Sequence, residues 1–169
     1  MDVYTLLTND HQRLTQLMDL IDQTPESASH TRGALFQELK THLYAHTEAE
    51  ETMFYSAIEH HHPPQGLMPD ARADHEAIDE IMAQLVDMDI SDLEWSPLFR
   101  RMKDQFARHV VTEESQIFHA ARNFLAEAEA ASIADSLVEQ FADYRMPERA
   151  SSSSVLEPGA SSPSAQSSL

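Results

Sequence analysis

Apolar residues recur at spacings of three and four along most of the chain, a pattern that predicts long amphipathic helices. Proline ends two of these runs, because it lacks the backbone donor that a helix requires: Pro25 follows the first run and Pro63 the second. The predicted helices cover about residues 2–23, 32–60, 69–88 and 94–128. The expected fold class is therefore all-α, an up-down-up-down four-helix bundle.

The chain changes character after the fourth helix. Ile133, Leu137 and Phe141 recur at helical spacing and predict a short fifth, C-terminal helix that covers one flank of the bundle. The last stretch is rich in Ser and Pro and lacks the apolar residues needed to form a core. We therefore expect one helical domain over residues 1–146 and a disordered tail over residues 147–169.

Polar residues on the inward helix faces form a repeat. His46 and Glu50, in the second predicted helix, return with the same spacing as His109 and Glu113 in the fourth. Residues four apart on a helix lie on the same face, about 5–6 Å apart at their Cβ atoms. Each pair can therefore aim an imidazole nitrogen and a carboxylate oxygen at one point.

A second repeat lies in the first and third predicted helices. The pair Asp10-His11 returns as Asp74-His75, one residue off the register of the first repeat. His11 and His75 lie on inward stripes, as His46 does. Asp10 and Asp74 either orient the neighbouring histidines through hydrogen bonds or are simply polar positions beside buried ones.

Six inward polar residues need a compensating partner, because a buried imidazole or carboxylate without one costs several kcal/mol. A pair of metal cations would supply it. Nitrogen and oxygen donors without sulfur favour iron or manganese first and zinc second. The arrangement we expect has Glu50 and Glu113 bridging two metals, with terminal histidines in two pairs. These pairs are His11 with His46, and His75 with His109.

Several neighbouring residues leave alternatives open. His42, one turn before His46, is a possible extra ligand, and Asp79, one turn after His75, is a possible additional oxygen ligand. Glu51 and Glu114 follow the proposed bridges, and we expect them to point away and to pair with solvent or basic neighbours. Tyr55 is expected to line or cap the bundle.

The composition limits the classes of function. Cysteine is absent, which excludes disulfides, iron–sulfur clusters and thiolate zinc sites. The formal net charge of −18 repels phosphate backbones, so no nucleic-acid partner is expected. There is no signal-like N-terminus and no run near the roughly 20 apolar residues that span a bilayer. We expect no membrane partner and a cytoplasmic location.

The order H…HxxxE…H…HxxxE resembles the hemerythrin-like, or HHE cation-binding, domains over about residues 1–145. The resemblance implies a four-helix bundle with a non-heme, oxo- or hydroxo-bridged di-iron centre. It also implies the same ligand set, namely His11, His46, Glu50, His75, His109 and Glu113. Oxygen carriers of this family have a further histidine one turn from the position of His75. Ala71 and Asp79 stand there in this chain, so reversible oxygen carriage is not expected.

The function expected from the resemblance is that of a di-iron-binding protein. It would react with small ligands (dioxygen, peroxide or nitric oxide) in stress response or iron homeostasis, with manganese or zinc as possible replacements for iron. Two alternatives stay open: a catalase-like or nitric-oxide-reducing di-iron enzyme, and an iron or oxygen sensor or partner-binding module. Turnover separates the enzyme from a stoichiometric binder.

Overall fold

The computed structural model describes residues 1–144, which form five helices. The predicted tail of residues 147–169 lies outside the described residues. The second and fourth helices each contain a π-helical segment and continue beyond it. The helices are α1 (Val3–Gln23), α2 (Ser29–Ala49, then π-helical Glu50–Tyr55, then Ser56–Glu59), α3 (Leu67–Asp87), α4 (Trp95–Thr112, then π-helical Glu113–Ile117, then Phe118–Phe124) and α5 (Glu127–Tyr144). A short 3₁₀ turn, Glu26–Ala28, precedes α2.

Successive helices run antiparallel, as the two apolar clusters of the core show. In the first cluster, early α1 residues such as Leu7 meet late α2 residues such as Phe54. In the second cluster, Met18 near the end of α1 meets Phe36 near the start of α2. α3 and α4 share the two clusters in the same opposed order, which confirms the predicted all-α bundle.

The two clusters are separated by a polar layer at the middle of the bundle. On α1, His11 lies between Leu7 of the first cluster and Leu14 of the second. On α3, His75 lies between Ala71 of the first cluster and Ile78 of the second. The sequence therefore builds a core that is apolar at both ends and polar in between.

Helix α5 packs against α1 and α2 and extends the first cluster only, through residues such as Leu137 and Phe141. Its presence confirms the predicted fifth helix. The fourth helix ends at Phe124 rather than near residue 128, because Leu125 adopts an extended backbone with φ −81° and ψ 126°. Leu125 is itself buried in the first cluster, so the chain turns without exposing it.

Local sequence explains the helix boundaries. The carboxylate of Asp2 accepts a hydrogen bond from the Thr5 backbone N–H at 2.8 Å and caps the first turn of α1. Gly66 precedes α3 with φ +98°, a left-handed conformation that glycine adopts at little cost. No helix among residues 1–144 is both long and apolar enough to span a bilayer.

Candidate metal centre

The six polar residues predicted to face inward lie together in the middle layer. Each has at most 1% of its surface exposed, and each comes from one of the four long helices. They are His11 from α1, His46 and Glu50 from α2, His75 from α3, and His109 and Glu113 from α4. The ligand atoms of four of them, all except His75 and Glu113, lie within 4.8 Å of one another.

Glu50 lies at the centre of this group, and its two carboxylate oxygens face different histidine pairs. Oε1 is 3.4 Å from His11 Nε2 and 3.2 Å from His46 Nε2. Oε2 is 3.2 Å from His75 Nε2 and 3.7 Å from His109 Nε2. One carboxylate thus spans the same two pairs that the repeat suggested.

Glu113 approaches the group from the other side and meets fewer histidines. Its Oε2 lies 3.0 Å from His11 Nε2 and 3.7 Å from His109 Nε2. Glu113 therefore faces one member of each histidine pair. This position is compatible with a second bridge between the two pairs.

The donor atoms at the centre lack hydrogen-bond partners despite their burial. Within residues 1–144, both oxygens of Glu50 and of Glu113 are unsatisfied, and so is Nε2 of three histidines, His11, His46 and His109. Each unsatisfied buried polar group costs about 1–3 kcal/mol. Cations between these atoms remove that cost, so the residues present fit a centre of nitrogen and oxygen ligands.

The carboxylate of Asp10 supports this centre from behind. His46 donates from Nδ1 to Asp10 Oδ2 at 3.0 Å, and His42 donates from Nε2 to Asp10 Oδ1 at 2.7 Å. Asp10 thus orients histidines of α2 and not its own neighbour on α1. The Nε2 atom of His42 is engaged in this hydrogen bond, so His42 is not one of the unsatisfied donors at the centre.

The expectation for Glu51 and Glu114 did not foresee that each would hold a central histidine. Glu114 accepts a hydrogen bond from His11 Nδ1 at 2.9 Å. Glu51 accepts one from His75 Nδ1 at 2.9 Å, and it pairs with a basic neighbour, Arg72, at 3.2 Å as expected. Each glutamate therefore orients a histidine of the other helical hairpin.

The π-helical segments explain how two successive glutamates can both serve the centre. Glu50 and Glu113 each begin a π-helical segment. Such a turn inserts one residue into the helix and so changes the direction of the side chains that follow. The first glutamate points into the centre, while the second reaches sideways to the neighbouring helix.

A hydroxyl side chain forms a hydrogen bond within or just before each of these segments. Thr52 Oγ1 donates to the Glu48 carbonyl at 2.7 Å, and Ser115 Oγ donates to the Val111 carbonyl at 2.6 Å. These two bonds join corresponding positions of the repeat. A hydroxyl that bonds the carbonyl four residues earlier competes with the helix and often bends it. Thr41 and Ser136 make the same type of bond within regular α-helix, so such a bond accompanies the irregular turns and does not locate them by itself.

Aromatic residues at repeat-related positions pack against two of the histidines. The Tyr55 ring stacks on the His75 ring with centroids 5.4 Å apart, and Phe118, its counterpart in the repeat, stacks on His11 at 6.3 Å. Only the first of these aromatics carries a hydroxyl, and it lies 3.4 Å from His75 Nε2. Tyr55 therefore lines the bundle as expected, and it also places a polar group at the centre.

Asp79 does not join the central donors. It is half-buried on α3, and its Oδ1 has no hydrogen-bond partner within the described chain. Burial raises its pKa above the usual value for aspartate. No contact between Asp79 and the Nε2 atoms of the centre is observed among the described residues, so its side chain lies outside the group.

The histidines differ in how strongly they hold a proton. Burial disfavours a charged His11, but contacts with two buried glutamates outweigh burial and raise its pKa to about 11. The same balance raises the pKa of His75 to about 9. Burial lowers the pKa of His109 to about 3, with the nearby positive histidines acting in the same direction.

The two glutamates also differ. Burial raises the pKa of Glu113 to about 7, and the negative charge of Glu50 adds to this effect. Burial works against an ionised Glu50 as well, but the surrounding histidines, His46 above all, hold its pKa well below its usual value. The metal-free centre therefore contains protons that incoming cations must displace.

The arrangement of paired histidines around buried carboxylates matches a known type of domain. The family model of the hemerythrin HHE cation-binding domain matches residues 2–121. The chain belongs to this family. Family membership and the cluster of buried His and Glu both indicate metal binding, and His11, His46, Glu50 and His109 of the middle layer could hold an ion.

A solved structure has the same fold as this HHE domain. It is the crystal structure of a hemerythrin HHE cation-binding domain-containing protein from Mycobacterium kansasii, with a TM-score of 0.77 and 23% sequence identity. The similarity covers 86% of this chain and 88% of the other. No match to a curated protein sequence was found.

Proposed function

We propose that this protein is a non-heme di-iron protein that binds iron and reacts with dioxygen, peroxide or nitric oxide in stress response or iron homeostasis. The observation that supports two cations is the position of Glu50, whose two oxygens face different histidine pairs. His11 and His46 would hold one iron, and His75 and His109 the other. Glu50 and Glu113 would bridge them.

Iron is one of the two metals that the donor set favours. Four imidazoles and two carboxylates, with no thiolate in the chain, suit iron or manganese first and zinc second. Bound iron supplies redox chemistry and open coordination positions for a small ligand. The protein contributes the two apolar clusters on either side, which exclude water from the layer between them.

Metal analysis after anaerobic loading with ferrous iron tests this proposal. We expect two irons per chain and, after exposure to air, the absorption bands of a bridged diferric pair. The variant His46→Gln should retain the helical fold but lose iron, and the exposed His119→Gln, which lies outside the centre, is the matched control. One iron per chain, or equal loading of both variants, contradicts the proposal.

One observation favours an enzyme over a stoichiometric binder. The Tyr55 hydroxyl lies within the centre, 3.4 Å from His75 Nε2. Burial raises the pKa of this phenol well above its usual value, so it is a neutral hydrogen-bond donor and a weaker acid than an exposed tyrosine. If a metal is bound at the centre, this hydroxyl would donate a hydrogen bond to a ligand there and could pass its proton to a ligand that becomes strongly basic. Catalase-like turnover or nitric oxide reduction is therefore the second candidate.

A further inference from the structure

Three of the four central histidines are held by a carboxylate on the ring nitrogen that faces away from the centre. All three bonds join residues of different helices. They are His11 Nδ1 to Glu114 at 2.9 Å, His46 Nδ1 to Asp10 at 3.0 Å, and His75 Nδ1 to Glu51 at 2.9 Å. Each bond fixes the orientation of the ring and turns its Nε2 toward the centre.

The fourth histidine lacks such a carboxylate among the described residues. The repeat predicts that Asp74 serves His109 as Asp10 serves His46. Instead, Asp74 accepts a hydrogen bond from Gln105 at 3.1 Å. Within residues 1–144, the ion pairs of His109 involve only its Nε2.

The difference traces to one position of the repeat. His42 in α2 corresponds to Gln105 in α4, since each stands one turn before the central histidine of its helix. His42 shares Asp10 with His46, so this carboxylate serves two imidazoles of α2 at once. Gln105 engages Asp74 without any accompanying bond from His109.

A carboxylate on the far nitrogen of a metal-bound histidine fixes its tautomer and makes the ring a better ligand. Removing such a partner typically lowers metal affinity about 10- to 100-fold. We propose that the two cation positions of this centre are unequal. The position formed by His11 and His46, both held by carboxylates, binds its cation more tightly than the position formed by His75 and His109.

This inference rests on the proposed two-metal function and adds an order of filling to it. Asp10 acts as a positioning residue for the tighter position, because it touches His46 and not the cation. At one equivalent of metal, the cation occupies the position of His11 and His46. The second position fills only when the first is saturated.

Calorimetric titration of the metal-free, full-length chain with zinc tests the order of filling. We expect two binding steps whose affinities differ by about tenfold or more, the scale of a lost outer-shell partner. Asp10→Asn should weaken the tighter step about 10- to 100-fold. Asp74→Asn changes the repeat-related aspartate, which touches no central histidine, and should leave both steps within about twofold of the wild-type values.

A second measurement follows the unmodified chain and does not require the Asp10→Asn or Asp74→Asn variant. Histidine ring signals are followed by NMR as zinc is added, with assignments from single His→Gln substitutions. We expect the signals of His11 and His46 to change during the first equivalent, and those of His75 and His109 during the second. Thermal unfolding followed by circular dichroism checks that both Asn variants are folded.

The possible outcomes distinguish failure of the unequal-positions inference from failure of the proposed two-metal function. Two zinc ions of equal affinity, simultaneous changes in all four ring signals, or equal weakening by Asp10→Asn and Asp74→Asn overturn the unequal positions only. A folded chain that takes up neither zinc nor iron overturns the proposed function, and the inference with it.

Discussion

The first hairpin, α1 with α2, and the second, α3 with α4, supply matching donors but surround them differently. Each hairpin contributes two histidines and one central glutamate, and each has a π-helical segment that begins at that glutamate. The residues behind the donors differ between the hairpins. The two hairpins therefore have the same residues at the positions that face the centre, but different residues at the positions that contact those central side chains from behind.

Two differences carry most of this asymmetry. The aspartate of the first hairpin holds a central histidine through a direct bond, and that of the second binds an amide instead. The π-helical segment of the first hairpin carries Tyr55, and the corresponding residue of the second is Phe118. Two copies of one ligand set have thus become two different environments for a cation.

The largest effect is expected from the two central glutamates, which the repeat treats as equivalent. Glu50 lies near all four central histidines, and Glu113 near two of them. We therefore expect Glu50→Gln to abolish binding of both metals, an effect larger than the about 100-fold of an outer-shell loss. Glu113→Gln should retain one metal.

Metal content by mass spectrometry, with circular dichroism as a check on folding, measures both variants. If Glu113→Gln loses as much metal as Glu50→Gln, the two glutamates contribute equally to metal binding. The proposed difference between them is then wrong.

The aromatic pair provides the next test. Tyr55→Phe makes the first hairpin resemble the second and removes the hydroxyl beside His75. If the protein turns over peroxide, we expect the rate to fall about 100-fold, the low end for loss of a proton donor, with metal content unchanged. The reciprocal variant Phe118→Tyr keeps the original hydroxyl and serves as the control. An unchanged rate in Tyr55→Phe rules out this residue as the proton donor.

The proton content of the metal-free centre gives a pH dependence. In the folded chain the pKa of His75 is raised to about 9 and that of His11 to about 11, both above the unfolded value of about 6.5. The stabilisation from these two groups is fully present below pH 6.5 and is lost as the pH rises through 9 and then 11. Metal-free protein should therefore unfold more easily at pH 10 than at pH 7.

Urea unfolding at a series of pH values tests this dependence, and His75→Gln should remove the part of it that is centred near pH 9. Metal binding has the opposite dependence, because cations compete with these protons. At pH 7 the uptake of two metals should release about two protons from His11 and His75 and part of a third from Glu113, whose pKa is raised to about 7. Calorimetry in buffers of different ionisation enthalpy measures this total.

The smallest effect is expected at Asp79, the aspartate one turn after His75. The first hairpin has Thr15 at the matching distance from His11. Asp79→Asn removes a half-buried charge that no hydrogen bond supports at Oδ1 within the described chain. We expect unchanged metal content and a free energy of unfolding within about 0.5 kcal/mol of wild type. A loss of metal in this variant places Asp79 among the ligands.

The sequence predicted the helical bundle because apolar spacing is a local property of each segment. The meeting of the six inward residues was also predictable, since four stripes that share one polar register must meet at one level of a bundle. The partners of Glu51 and Glu114 were not predictable in this way. Their histidines are 24 and 103 residues away along the chain, and the bonds depend on how neighbouring helices are rotated.

The π-helical segments also escaped prediction. A regular helical period places Glu51 one step around the helix from Glu50 and away from the centre. The π-helical turn changes the direction of the Glu51 side chain, but it leaves the spacing of the apolar residues earlier in the helix unchanged. Thr52 and Ser115, which bond to earlier carbonyls, were visible in the repeat. Thr41 and Ser136 make the same bond in regular α-helix, so the hydroxyls alone would not have located the irregular turns.

The division of the core into two apolar clusters bears on how the chain opens. In a continuous apolar core, packing at one end resists fluctuations at the other end. Here the polar middle layer of imidazoles and carboxylates separates the two apolar clusters and weakens this coupling. Stripped of cations, the molecule should exchange its amide hydrogens as two separate cooperative units, one at each end. When cations are bound, the middle layer should link the four helices, so that both ends exchange their amide hydrogens as a single cooperative unit.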